Sequence, residues 1–593
     1  MKKILSLLCC AFLLGTLAFA EDYYSGYIVK LKENCVLPIA ALYSGSEIEV
    51  LDKAETATLL SEEYDNVGIV YSPEGLIKAQ DEQTVRELVE MGIVEYAEPD
   101  LICELYGYVP ENNQYYAKQW AHEAINSEYA WNKGVYGQEV KVAVIDSGVS
   151  PHPDLAPCLL PGGDFEGLTE KGQTPGTDTT DNVWHGTFVA GLIAAQCNDV
   201  GVVGLSHNVK IVPLKVCDTT TFNISYVIPA IYAAVDTYDC DVINMSLGVS
   251  TTQSGGVIYK NGVYESGTIP SSMSVSSAIN YATIKGAIVV AASGNDGNDQ
   301  TIETDGAGNV IEKRHLSIPA ILNNVVSVGN VKKVSTDGVN ASYSIDQSST
   351  HNEYVHISAP GTSVYSTYYK NASSSYTSAT GTSFATPYVS AAAAIMKCIN
   401  PDIKFLEFDS LIRSTANKSY MTESQDELYW GDGMLDIEAM LKEYFKDRSD
   451  YVSPLNVNVN TGECTVTVSN LTEEIKEYMV VIEDASLQEG QKKLVSATLS
   501  PDGSKEISLT RYGFDENATV EMTSFLRGDS NGDGSIDKAD LEMLAKHLLG
   551  VITMSNVEIF RSNAYLHEGA TETDVTLDIR DVIKIAQLIN KSK

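Results

Sequence analysis

Three short segments, far apart in the chain, carry the groups that catalysis by a hydroxyl nucleophile requires. They are Val144-Ile145-Asp146-Ser147-Gly148, His185-Gly186-Thr187 and Gly381-Thr382-Ser383-Phe384-Ala385-Thr386-Pro387. A serine hydroxyl is a weak nucleophile near neutral pH and needs a base within hydrogen-bond reach. His185 is suited to take the proton of Ser383 and return it to the leaving group. Asp146 is suited to fix the imidazole tautomer and stabilise the imidazolium. Each segment alone is a weak signal, because strand-ending Asp residues are usually caps, lone His residues are usually structural, and Gly-Thr-Ser is common in loops. The joint order and the local contexts carry the reading.

That order, Asp then His then Ser with a glycine close to each, resembles the subtilisin-like serine peptidases, or subtilases. The resemblance implies attack of Ser383 on a peptide carbonyl. Ala291-Ala292-Ser293-Gly294-Asn295-Asp296-Gly297 is similar to the segment carrying the family's oxyanion residue. It implies that Asn295 donates its side-chain amide to the developing oxyanion, joined by the N–H of Ser383. By the same resemblance Ser246, Leu247 and Gly248, with Ala292, Ser293 and Gly294, line the cleft and pair with an extended substrate as an added strand. Asp154 and Asn198 match positions that hold calcium in the family, and hard oxygen ligands suit that ion. Two residues depart from the usual pattern: Phe188 stands where another histidine is common, and Phe384 where methionine is.

Strands and helices must bring these groups together. Val140 to Ile145 is an apolar run broken only by Lys141, as a strand buried on both faces should be. Ile211 to Val216, Val242 to Leu247 and Ala287 to Ala292 read the same way, with helical segments at Phe188 to Gln196 and Val389 to Met396. The alternation predicts an α/β domain over 111–448, a parallel sheet with helices on both faces. It closes with Gly431-Asp432-Gly433-Met434-Leu435-Asp436, similar to the family's closing motif. Asp146 then ends a buried strand, where such sheets present ligand-facing groups. His185 and Ser383 each open a helix, with Pro387 expected in the first turn, where a missing N–H is tolerated.

The rest of the chain adds an address and three further segments. At 593 residues it exceeds a single core, and its 44% hydrophobic and 20% charged content excludes wholesale disorder. A net charge of -39 argues against nucleic acid as a partner and suits a secreted or calcium-binding protein. Lys2 and Lys3 precede an apolar run, Ile4 to Phe19, that ends at Ala18-Phe19-Ala20, so 1–20 reads as a secretory signal. No segment is long and apolar enough for a transmembrane span. Past that signal Cys35, Cys103, Cys158, Cys197, Cys217, Cys240, Cys398 and Cys464 show no metal spacing, and most are expected as buried free thiols. Residues 21–110 open with the alternating Tyr27 to Lys32 and close with Val94 to Asp100, around a helical stretch from Glu82 to Met91. They resemble the inhibitory propeptide of subtilases, which assists folding and is then cut away. Residues 452–525 hold period-two strands such as Cys464 to Val468 and Met479 to Ile482, and a small accessory β-sandwich is expected.

Residues 526–593 carry a second chemical signal. With Asp529 as position one, Asp529, Asn531, Asp533, Asp537 and Asp540 put oxygen side chains at positions one, three, five, nine and twelve. Ser535 at seven can give its carbonyl, and Gly534 at six allows the turn. That spacing predicts a bound Ca²⁺. Asp at position twelve, with the amphipathic Leu541, Leu544 and Leu548 after it, resembles a type I dockerin, α-helical and EF-hand-like. Dockerins carry two loops, and the second here is eroded: Asp574, Asp578 and Asp581 fall on ligand positions, but Val575 replaces the glycine. The resemblance assigns partner contacts to Lys538, Ala539, Ile579 and Arg580, with a cohesin domain as partner.

Together these readings describe a secreted, self-processing serine endopeptidase acting on proteins or peptides. A dockerin would tie it to a cohesin-bearing scaffold of the cellulosome type, outside the cell or at its surface. The alternatives are a catalytically inert, scaffold-bound binding module on the same fold, and a protease that uses its last domain only for calcium-dependent stability.

Overall fold

The computed structural model describes strands 24–31, 48–50, 76–79 and 94–105, positions 85, 88, 89, 92 and 93, most of 116–562, and isolated positions between 577 and 589. The expected signal at 1–20, Cys35, Asp574, Asp578, Ile579 and Arg580 lie outside the described residues, as does most of the helix expected from Glu82 to Met91. The chain divides into two compact units, Met1–Glu128 with Glu139–Glu443, and Tyr129–Gln138 with Tyr444–Lys593.

An eight-stranded sheet organises the first unit. Strand Lys141–Asp146 lies at its middle, parallel to Lys210–Lys215 on one side and Val242–Met245 on the other. Ile288–Ala292, then Val325–Thr336 and Ile357–Pro360, continue the parallel order, and Ala341–Ile345 closes an edge antiparallel. Alternation along each strand sends successive side chains to opposite faces. Ala143, Ile145, Ile243, Met245, Val289 and Ala291 accordingly share one apolar cluster with helices Val227–Asp236 and Met273–Lys285. Helix Thr382–Ile399 covers the other face, where the Ser390 hydroxyl donates to Asn244 Oδ1 at 2.8 Å. The expected parallel sheet with helices on both faces is the observed one.

Two features lie beyond the expected pattern. Residues 257–314 contain a small antiparallel sheet of four short strands, Val263–Tyr264, Val257–Lys260, Val310–Arg314 and Ile302–Thr304 in spatial order. The other concerns the N-terminal strands. Tyr24–Leu31 pairs antiparallel with Leu76–Ala79 and with Val94–Leu105, and the last of these runs on to pair with two strands of the α/β region.

In the second unit two sheets enclose one core. Cys464, Val466 and Val468 of one sheet meet Tyr478, Val480, Ile482, Val495 and Ala497 of the other. Segment Tyr129–Gln138 belongs to this unit through Lys133, whose buried ammonium lies 2.7 Å from Asp502 Oδ1. Helix Lys538–Leu548 packs Leu541 and Leu544 against Ile585 and Ile589. Cys158, Cys197, Cys217, Cys240, Cys398 and Cys464 are free thiols; Cys158, Cys217, Cys240 and Cys464 are buried, whereas Cys197 is exposed. Among the described residues no helix is long and apolar enough to cross a membrane.

Candidate active site

Asp146 ends the central strand and is fully buried, as is Ser147. Its carboxylate accepts from His185 Nδ1, with Oδ1 at 2.8 Å and Oδ2 at 3.0 Å. A carboxylate only accepts, so Nδ1 carries the proton and Nε2 is left as the basic nitrogen. The close approach depends on Gly186: a Cβ there would stand 2.1 Å from the carbonyl oxygen of Gly148.

Helix His185–Ala194 begins on His185 because of the residue before it. Trp184 has φ 102°, a left-handed conformation that is strained for a bulky side chain. Asp181, which the sequence pattern did not single out, holds the strained turn. Its Oδ1 accepts from Val183 N at 3.0 Å, Trp184 N at 2.7 Å and the Ser147 hydroxyl at 2.9 Å. Its Oδ2 accepts from Thr187 N at 2.8 Å and Thr187 Oγ1 at 2.7 Å. Burial pushes this carboxyl up to about 6, with the charge of Asp146 acting in the same direction and the hydrogen bonds opposing it. An Asp four residues before the His was the available signal.

Aromatic rings pack around the imidazole. Phe384 lies 5.3 Å from His185 between ring centroids, Trp184 lies 5.8 Å from it, and Phe188 and Phe384 stand 4.6 Å apart. The two departures from the family pattern are thus in mutual contact.

Ser383 is the second residue of helix Thr382–Ile399, so its N–H has no intrahelical partner. Its hydroxyl donates to Ser246 O at 3.0 Å. Pro387 is not in the first turn as expected; it is the sixth helical residue, one turn further in. There it cannot donate to the carbonyl four residues back, which belongs to Ser383. The Ser246 hydroxyl donates to that carbonyl instead, at 2.7 Å, and in turn accepts from Asn244 Nδ2 at 3.0 Å. Asn295 adjoins the same helix start. Its Oδ1 accepts from Thr382 N at 2.9 Å and Thr382 Oγ1 at 3.0 Å, which leaves its NH2 end available as a donor.

The two cleft segments differ in what they offer. Leu247–Ser250 pairs antiparallel with Val94–Leu105, in register Leu247 with Leu105 and Gly248 with Glu104. On its other side that strand pairs with Thr221–Asn223, an edge the sequence reading missed, in register Glu104 with Thr221 and Ile102 with Asn223. Ala292, Ser293 and Gly294 do not provide the expected edge. Ser293 N already donates to Val328 O at 3.1 Å and Gly294 N to Thr382 Oγ1 at 3.3 Å, while Gly294 O accepts from Thr350 N at 2.9 Å.

The candidate cation positions also differ. Asp154 and Asn198 are brought together: an Asn198 side-chain hydrogen bond reaches the Asp154 carboxyl, which burial raises above the ordinary range. Asp154 Oδ2 accepts from Val202 N at 3.1 Å, whereas the buried Oδ1 has no hydrogen-bond partner. In the 529–540 loop the oxygens fold the backbone. Asp529 Oδ1 accepts from Gly532 N at 2.7 Å and its Oδ2 from Gly534 N at 2.9 Å, while Asp540 accepts from Asn531 N at 3.0 Å and Asp537 N at 2.8 Å. Lys538 and Ala539 open the following helix behind the Asp537 cap, and Asp581 is buried. Among the described residues no three carboxylate, imidazole or thiol groups converge as a metal centre.

Comparison with known proteins gives the geometry a context. The model of the Subtilase family matches residues 137–433. Subtilisin Savinase of Lederbergia lenta is 32% identical over 321 residues, 54% of this chain and 97% of its own length. An alkaline protease of Alkalihalobacillus alcalophilus is 29% identical over 422 residues, 71% of this chain and 88% of its own. The minor extracellular protease Epr of Bacillus subtilis is 28% identical over 390 residues, 61% of this chain and half of its own.

Proposed function

The chain belongs to the subtilase family and is a serine endopeptidase, and from that premise we propose how its residues divide the work. Ser383 is the nucleophile, His185 the base, Asp146 its orienting partner and Asn295 the oxyanion donor. The observation that carries the assignment is the buried Asp146–His185 pair, with Nδ1 within 2.8 Å of the carboxylate. It commits Nε2 to proton transfer and keeps the tautomer fixed through the cycle.

Reaction starts when the Ser383 hydroxyl turns from the Ser246 carbonyl to His185 Nε2. The nucleophile adds to the scissile carbonyl, and charge builds on its oxygen. Asn295 Nδ2 and the N–H of Ser383 receive that charge without reorganising, because Thr382 already anchors the other end of the amide. His185 then gives the proton to the departing amine, and water cleaves the acyl-enzyme by the same sequence in reverse. An activity-based fluorophosphonate probe tests this: wild type should be labelled on Ser383 and Ser383→Ala should not. An unlabelled wild type would favour the inert binding module.

The flanking regions define where and when the enzyme acts. We read 1–20 as a secretory signal and 21–110 as a propeptide that the enzyme removes itself. The pairing of Val94–Leu105 with a cleft strand supports this, since an inhibitory segment must occupy the substrate's place. The region 452–525 reads as an accessory β-sandwich and 526–593 as a dockerin that binds a cohesin scaffold. The donors of the first loop fit calcium: all are oxygen, and Gly534 has the left-handed φ of 87° that the sharp turn requires. Asp529, Asn531, Asp533, Ser535, Asp537 and Asp540 would hold the ion, which would order the loop for docking. At the second position the orphaned, buried Asp154 Oδ1 likewise fits a cation shared with Asn198.

A further inference from the structure

We infer that the enzyme selects substrates on the leaving side of the scissile bond, where Trp184 and Tyr368 form a wall that takes an aromatic side chain. The inference rests on the roles given to Ser383 and His185 above and adds a specificity that those roles leave open.

Three observations carry it. The first is the pair of rings. Trp184 and Tyr368 are half-buried, lie 5.8 Å apart between ring centroids and are tilted by 37°. Phe188 and Phe384, both fully buried, back them at 6.1 Å from Trp184. The second is the backbone. At φ 102° residue 184 occupies a region that glycine adopts freely and tryptophan does not. Such strain gathers at catalytic sites and ligand clamps, where the surroundings hold it in place. Asp181 holds this turn, accepting from Trp184 N at 2.7 Å, and what the residue adds over glycine is its ring. The third is the tie between the wall and the base. Ser366 Oγ donates to Phe188 O at 2.6 Å, and Thr367 Oγ1 to Thr187 O at 2.7 Å. These bonds fasten the hairpin of Val364–Lys370 and Ser373–Ala379 to the helix that starts at His185, which brings Tyr368 to Trp184.

The leaving half of the substrate is the part that meets this wall. An extended substrate pairs with the Leu247–Ser250 edge next to Ser246, whereas the hairpin forms a separate two-stranded sheet. The half released as the amine must pass His185, which delivers its proton. The rings beside His185 are Phe384 at 5.3 Å and Trp184 at 5.8 Å. A side chain within the first three residues after the bond therefore reaches the wall. An aromatic ring meets Trp184 and Tyr368 in offset or edge-to-face geometry, which stabilises beyond the area buried. A carboxylate is disfavoured there: burial first, and then the nearby Asp181 carboxylate, already push the Tyr368 hydroxyl up.

Full-length wild type, Trp184→Ala, Tyr368→Ala, Tyr368→Phe and Ser383→Ala chains are each given the same peptide library of mixed sequence. Mass spectrometry reads the residues on both sides of every cut. Wild-type cuts should carry Phe, Tyr or Trp at one of the first three leaving-side positions about tenfold above their frequency in the library. Tyr368→Phe should keep this excess. Trp184→Ala and Tyr368→Ala should abolish it, with the residues before the bond selected as in wild type. The excess is a ratio within one sample, so a slow variant still reports it, and Tyr368→Ala decides where Trp184→Ala is too slack to cut. Ser383-dependent cuts that lack the excess, that carry Lys or Arg there instead, or that keep it in Tyr368→Ala overturn the aromatic wall alone. Loss of selection on both sides of the bond in Tyr368→Ala overturns it too, as general damage. Absence of any Ser383-dependent cut in wild type overturns the assignment of the site and this inference with it.

Discussion

Replacing Asp181 with Asn separates what its buried charge does from what its shape does. The substitution keeps an oxygen facing Ser147, Val183 and Trp184 but turns an NH2 toward Thr187, whose N–H and hydroxyl now donate to Oδ2 at 2.8 and 2.7 Å. Two hydrogen bonds to a charged acceptor are lost, each contributing about 1.5–3 kcal/mol. The charge term has the opposite sign. Burial raises the folded carboxyl from an ordinary 3.8 to about 6. Stability from this group is therefore complete below the unfolded value near 4 and is lost as pH rises through about 6, a change of about 3 kcal/mol at 1.36 kcal/mol per pH unit. Asn does not titrate. The variant should then be destabilised more at pH 4 than at pH 8, by about 3 kcal/mol. Denaturant unfolding, followed by tryptophan fluorescence in a Ser383→Ala background that prevents autolysis, reads this directly. A loss that is equal at both pH values, or greater at pH 8, refutes the reasoning. In the active background kcat should fall about 10- to 100-fold with KM steady, because a slackened Trp184 turn displaces the base. An unchanged kcat would reduce Asp181 to a structural cap.

Three further outcomes follow from the same geometry. Asn295→Ala should lower kcat by about 10²–10³, a magnitude established for this donor in subtilisin, and leave KM almost unmoved; steady-state kinetics on a peptide amide check it. Phe188→His and Phe384→Met should be coupled by about 0.5–1.5 kcal/mol in a double-mutant unfolding cycle, because the rings meet at 4.6 Å; additivity would contradict the contact. Chelation of calcium should abolish capture of the chain by a cohesin, and excess calcium should restore it; capture that persists in chelator would remove the ion from the docking role.

The parts legible in the sequence are those whose cause is local. Asp146, His185 and Ser383 stood out through their joint order and through motifs that resemble the subtilases, with the end of a buried strand and two helix starts as local support. The observed sheet and helices follow from the same periodicities. What escaped depends on partners distant in the chain. Asp181 acts by receiving backbone N–H groups, which any residue supplies, so no side-chain pattern marks them. The Thr221–Asn223 edge is defined only by the strand that pairs with it, and the sheet within 257–314 is built from strands too short for a periodic signal.

Pro387 shows how a local rule can give the right residue for the wrong reason. Proline tolerated at a helix start is a statement about its own missing N–H. In this fold the consequence falls on Ser383, whose carbonyl is released from the helix and taken by Ser246 at 2.7 Å. Ser246 is joined through Asn244 to Ser390, all fully buried, so the backbone of the nucleophile is tied to the central sheet as well as to its helix. A proline one turn earlier would satisfy the helix-start rule and leave the Ser383 carbonyl inside the helical ladder. The Ser246 hydroxyl would then share that carbonyl with a backbone N–H, and the tie of the nucleophile to the sheet would no longer be the carbonyl's sole hydrogen bond. At its observed position Pro387 withholds the helical N–H from the Ser383 carbonyl and leaves that carbonyl to Ser246, which fixes the backbone of the nucleophile.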